Sequence, residues 1–143
     1  MIFIPARRAT VLVPTPTPDR LDLRHLFILL TDPLGEQKEN LIVSLSSVRV
    51  GRYHDPTCLL YPGDHEFVTS DSYVKYSTCR MESADKLIRG VKSGVLSPRN
   101  TLDGAVFARV CRGVTESRHT PFEIKALYKS VTEVDTPGEC DDE

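Results

Sequence analysis

The sequence predicts a mainly β fold, a small barrel or sandwich, with α-helices gathered in its C-terminal part. Two observations carry this. Over the first eighty or so residues, short apolar or β-branched runs alternate with Pro, Gly and Asp turn signals. At Ser83 the pattern changes to helical spacing, with capping residues at each start. A length of 143 residues fits a single unit, assigned here to 1–135, with an acidic, disordered tail expected at 136–143.

The elements follow in order. Thr10 to Val13 reads as a first strand. The stretch Pro14-Thr15-Pro16-Thr17-Pro18 forces an extended linker, because proline fixes φ and donates no hydrogen bond. The spine of the chain is Leu26 to Leu30, five consecutive apolar residues closed by Thr31-Asp32-Pro33-Leu34-Gly35. Such a run fits a strand covered on both faces. Leu41 to Leu45 returns antiparallel to it and ends in Ser46-Ser47. Cys58 to Tyr61 is a short strand between turns, and Ser72 to Met81 is a longer, β-branched and aromatic one. Ser83 caps a helix over 84–92 that stops at Gly94. Ser97-Pro98 is an N-cap with proline at the first helical position. It opens a second helix carrying Leu102, Val106, Val110 and Val114, with a break expected near Gly113. Thr120-Pro121-Phe122-Glu123 forms a capping box for a third helix, with Ile124, Leu127, Tyr128 and Val131 on one face.

The net charge of −2 conceals an asymmetry. From Lys75 to Lys129 there are eleven Lys/Arg against five Asp/Glu, whereas Ser130 to Glu143 holds six acids and no cation. A basic half is a surface for a polyanion; solvated helix faces are the plainer alternative. No apolar run approaches the ~20 residues that span a bilayer. The N-terminal Met1-Ile2-Phe3-Ile4-Pro5 is too short for a signal segment, so a cytoplasmic location without membrane contact is expected. Cys58, Cys79, Cys111 and Cys140 lack paired spacing and are expected as reduced thiols. His54, Cys58, His65 and Cys79 are zinc-type ligands, but their spacing matches no standard finger, so neither a metal nor a cofactor is expected.

With this order in place, the chain resembles the PemK/MazF family of toxins over roughly residues 20–115. The family's strand of arginine, apolar run and acidic turn is matched by Arg24-His25-Leu26 to Leu30-Thr31-Asp32. Its next apolar strand, ending in a hydroxyl residue, is matched by Leu41 to Leu45-Ser46-Ser47. Its later serine and β-branched stretch, short helix and Gly-x-Leu-Ser resemble Asp71 to Val74, Ala84 to Gly90 and Gly94-Val95-Leu96-Ser97. The resemblance implies an SH3-like β-barrel followed by two or three helices. It implies a toxin of a type II toxin–antitoxin system, a homodimeric endoribonuclease that cuts single-stranded RNA without metal and is silenced by an antitoxin. His25 stands where the family carries proline. That departure keeps open an alternative: an inactive module binding nucleic acid or a protein partner.

Metal-free cleavage needs a group to take the 2′-proton, a cation for the crowded phosphorane and a group to protonate the leaving oxygen. By family position Arg24 holds the phosphate, its guanidinium fork being suited to bidentate contact. Ser46 or Ser47 stands where the family's hydroxyl meets the scissile phosphate. His25 and His65 have the right chemistry to shuttle protons near neutral pH. Arg49, Arg52, Tyr53 and Tyr73 are candidates for binding RNA by charge and stacking. The competing account of Arg24 is a surface ion pair with Asp22 or Asp64, and of His65 a turn residue tied to the backbone.

Overall fold

The computed structural model describes residues 2–135; the expected acidic tail at 136–143 lies outside the described residues. Six strands, β1 (Thr10–Pro14), β2 (Arg24–Leu29), β3 (Glu39–Ser47), β4 (Leu59–Leu60), β5 (Ser72–Ser83) and β6 (Ser97–Arg99), form one antiparallel sheet in the order β4-β5-β3-β2-β1-β6. The sheet curls into half a barrel. Three helices accompany it: α1 (Ala84–Ser93), α2 (Gly104–Glu116) and α3 (Phe122–Asp135).

The central strand β2 is covered on both faces, as its unbroken apolar run predicts. Leu26, Ile28 and Leu30 join one core with Val106, Val110 and Val114 of α2, and Ile124 and Tyr128 of α3 pack against it. Phe27 and Leu29 belong to a second core with Val11, Ile42 and Leu87 of α1. β2 pairs with β3 through Phe27↔Ser44, Ile28↔Val43 and Leu29↔Ile42. Helix α1 begins at Ser83, whose hydroxyl accepts from the Lys86 N–H, and closes at Gly94. No helix among the described residues is long and apolar enough to cross a membrane.

Three local expectations are corrected. Ser97-Pro98 does not start a helix. It forms β6, which pairs with the free edge of β1 through Leu12↔Ser97, Val11↔Pro98 and Thr10↔Arg99. Proline is tolerated there because an edge strand can turn that position away from the ladder. The helix is capped later, by Asp103, whose carboxylate accepts from the N–H groups of Ala105 (3.0 Å) and Val106 (3.3 Å). Gly113 does not break α2. The phenol of Tyr76 lies against it, donating to the Val110 carbonyl at 2.6 Å, and a Cβ at 113 would overlap the Tyr76 hydroxyl. Thr120 caps nothing: its hydroxyl is buried without a partner among the described residues. The entrance to α3 is tied instead by Lys125 Nζ, which donates to the Ser117 carbonyl at 2.9 Å.

One irregularity adjoins the site. Between Ile42↔Arg80 and Ser44↔Lys75 the β3–β5 register slips by three residues, all extra residues being in β5. Ser44 clamps this bulge, donating its N–H to Thr78 Oγ1 at 3.0 Å, while that hydroxyl donates to the Lys75 carbonyl at 2.7 Å. Ahead of the bulge, strand alternation turns Tyr76, with Ser72 and Val74, into the core beneath α2 and leaves Lys75 exposed.

Candidate functional site

β2 begins, β3 ends and β5 begins at the same end of the sheet, because Phe27 faces Ser44 and Ser47 faces Ser72. A cleft of about 970 Å³ wraps round this end. Strand alternation sends Arg24 toward the face of α2 and His25 toward the other. The cleft takes in both, because it runs round the strand ends. It is lined by Arg24, His25, Ser46 and Ser47, and also by Arg49, Arg52, Tyr53 and Tyr73. Eight of the nine candidates from the sequence therefore meet in one place.

His65 is the exception and is not brought to the cleft. It is buried, Nδ1 accepts from the Phe67 N–H at 3.0 Å, and Nε2 lies 2.7 Å from the Asn100 carbonyl. An acceptor Nδ1 makes Nε2 the donor, so both nitrogens are spent tying the 61–68 loop to the segment after β6. This is the turn-residue account, and it leaves no nitrogen for proton transfer.

Charge in the cleft is one-sided. Arg20, Arg24, Arg49, Arg52, Lys75 and Arg99 line it against Asp55 and Glu66. Arg20 is paired with Asp22 at 3.9 Å and Arg99 with Glu66 at 3.2 Å. Asp64 is taken by Arg109 at 3.3 Å, so neither acid proposed as a surface partner holds Arg24. Among the described residues Arg24, Arg49, Arg52 and Lys75 make no ion pair and no side-chain hydrogen bond. Four unneutralised cations give one concave surface a positive character.

His25 is half-buried, with Nδ1 2.6 Å from the hydroxyl of Thr15 in the proline-rich linker. Burial, then the charges of Lys75 and Arg49, hold its pKa below the ordinary 6.5. The ring is thus neutral at neutral pH, and Nε2 has no hydrogen-bond partner among the described residues. Aromatic faces stand nearby: Tyr53 is 71% exposed, and Tyr73 lies 5.5 Å from the His54 ring, centroid to centroid.

Several lining groups have no local sequence signature. Lys75 pairs with Ser44 and reaches the cleft on the same strand face as Tyr73. Asp55, read from sequence only as part of a turn, is buried and accepts from the Thr57 N–H (3.0 Å), Thr57 Oγ1 (2.5 Å) and Ser117 Oγ (2.6 Å). Burial alone would raise its pKa; these hydrogen bonds and the nearby His119 outweigh it, and the carboxyl stays low. His119 arrives from the α2–α3 connection, 66 residues from Tyr53, whose hydroxyl meets its Nε2 at 2.8 Å.

No group of three or more His, Cys, Asp or Glu among the described residues is placed to hold a metal ion. Of the zinc-type ligands, Cys58 and Cys79 are buried in the core and His65 is fully bonded; burial pushes the Cys79 thiol up to about 12. What the cleft can do is bind an extended anion, stack planar rings on its tyrosines, and offer a neutral imidazole beside cations. Comparison with protein-family models, curated proteins and solved structures finds no match to this chain.

Proposed function

We propose that the cleft binds single-stranded RNA and cuts it without metal, as the resemblance to the PemK/MazF toxins and their SH3-like barrel implies. The observation that carries the reading is the convergence of Arg24, His25 and Ser46 with unpaired Lys75, Arg49 and Arg52 at one strand-end mouth. In this reading the 2′-hydroxyl attacks its own phosphate in line. Neutral His25 accepts the 2′-proton at Nε2. Arg24 and Lys75 hold the non-bridging oxygens as charge builds on the phosphorane. Ser46 or Ser47 donates to the same phosphate. Tyr53 and Tyr73 receive the flanking bases, whose faces stack without strong sequence preference. A cytoplasmic setting, an antitoxin partner and a homodimer belong to the same reading and rest on the resemblance alone.

The test is incubation of a mixed-sequence single-stranded RNA with purified protein in EDTA, with Arg24→Ala in parallel. The expected product ends in a 2′,3′-cyclic phosphate, and the variant loses most of the rate. RNA held in a salt-sensitive manner but never cut would select the binding module instead. Neither binding nor cleavage would discard both.

A further inference from the structure

We propose that His119 is the general acid of this site, giving its proton to the leaving 5′-oxygen while His25 acts as the base. The assignment rests on the nuclease reading above and adds the group that reading lacks.

His119 stands between α2 and α3, half-buried, at the cleft wall. Three contacts fix it. Its N–H donates to Ser117 Oγ at 3.0 Å, its Nε2 lies 2.8 Å from the Tyr53 hydroxyl, and its ring meets the Tyr53 ring edge-on at 5.6 Å. Ser117 in turn donates to Asp55 at 2.6 Å. Asp55 is thus a carboxylate fixed by hydrogen bonds and joined through Ser117 to the backbone of His119. Tyr53 holds one ring nitrogen, whereas Nδ1 has no hydrogen-bond partner among the described residues.

His25 lies near the cations Lys75 and Arg49. The cleft holds three imidazoles, His25, His54 and His119; His54 lies against the Tyr73 ring, and with the base role at His25 the ring fixed on Tyr53 is assigned the acid. One tight turn joins a neighbour of His25 to a neighbour of His119. The Arg52 N–H donates to the Arg49 carbonyl at 3.1 Å and Gly51 has φ 78°, the signature of a type II turn, whose ends lie within ~7 Å. Arg49, one of the charges felt by His25, opens that turn, and Tyr53, which holds His119, directly follows it.

The step balances as follows. The 2′-oxygen gives its proton to His25 and bonds to phosphorus. The P–O5′ bond breaks, its electron pair staying on the 5′-oxygen, which takes the His119 proton. A 2′,3′-cyclic phosphate and a 5′-hydroxyl result, and exchange with solvent resets the two rings.

The experiment compares an RNA oligonucleotide with the same oligonucleotide carrying sulfur in place of the scissile 5′-oxygen. A thiolate leaves without being protonated. His119→Ala should lose about 10²–10⁴-fold on ordinary RNA and recover most of the wild-type rate on the sulfur substrate. His25→Ala should be slow on both. His119→Gln, with an amide in place of the ring, should show the same split, and circular dichroism should report folded protein for each variant. A His119→Ala loss that is equal on the two substrates, or no loss at all, overturns the assignment alone. Wild-type protein that cuts neither substrate overturns the nuclease reading and this assignment with it.

Discussion

Under the proposed RNA-binding reading, the salt dependence of binding is the sharpest consequence of the cleft. Four of its cations, Arg24, Arg49, Arg52 and Lys75, are unpaired, whereas Arg20 and Arg99 already face acids of the same chain. If each unpaired cation displaces one counterion from a single strand, the affinity should fall with salt at a log–log slope of about −2.8. Between 50 and 200 mM salt that is about a 50-fold loss, and about 20-fold once one cation is removed. The assay is fluorescence anisotropy of a labelled single-stranded RNA at several salt concentrations, for wild type and for Arg49→Ala, Arg52→Ala and Arg99→Ala. The first two variants should each reduce the slope by about 0.7. Arg99→Ala should change it less, since Glu66 neutralises that guanidinium at 3.2 Å. A wild-type slope shallower than about −1, or equal slopes in all variants, would refute the argument that the unpaired cations meet phosphate.

Two further outcomes follow from particular contacts. Gly113→Ala puts a methyl where the Tyr76 phenol lies and displaces the hydroxyl that donates to the Val110 carbonyl. Overpacking together with the lost buried hydrogen bond should lower stability by about 2–4 kcal/mol in urea unfolding; a change within ~0.5 kcal/mol, the ordinary range for surface sites, would remove the packing argument. In the pH profile of kcat/KM, cleavage should fall as acid protonates His25, with the limb below the ordinary 6.5 because burial, then Lys75 and Arg49, lower its pKa. Lys75→Ala removes one lowering charge, so the pKa rises and the limb moves to higher pH. A limb that stays in place in this variant would mean that His25 is not the base.

Much of the fold was legible because its determinants are local. The apolar run of β2 predicts burial on two faces and receives it, from α2 on one side and α1 on the other. Ser83 and Gly94 mark α1 at both ends. β6 was illegible for the opposite reason. Ser97-Pro98 satisfies the rule for a helix start as well as it fits an edge strand. What decides is the unpaired edge of β1 together with the nearer Asp103 cap, and neither is visible in a local window. Gly113 repeats the lesson: a glycine that reads as a helix stop is a seat for an aromatic ring from β5.

The same division runs through the site. Arg24, His25, Ser46 and Ser47 stand out in the sequence at the ends of two apolar strands and through the family resemblance, and the antiparallel pairing of those strands brings these ends to one edge of the sheet. Asp55 and His119 were missed because tertiary structure alone places them, and Lys75 although it shares a strand face with Tyr73. Lys75 is the instructive case. Tyr76 to Cys79 reads as uniform strand, and nothing in it announces a slip of three residues against β3. Beside the slip the Tyr76 phenol reaches the Val110 carbonyl and the bare face of Gly113, and Thr78 closes the bulge on Ser44. Lys75 lies next to Tyr76 in the chain and on the other face of the strand, at the cleft among the groups that keep His25 neutral. Neighbouring residues of one strand therefore seat α2 on the sheet, through Tyr76, and set a charge near the imidazole, through Lys75, so the core and the cleft are not independent parts of this protein.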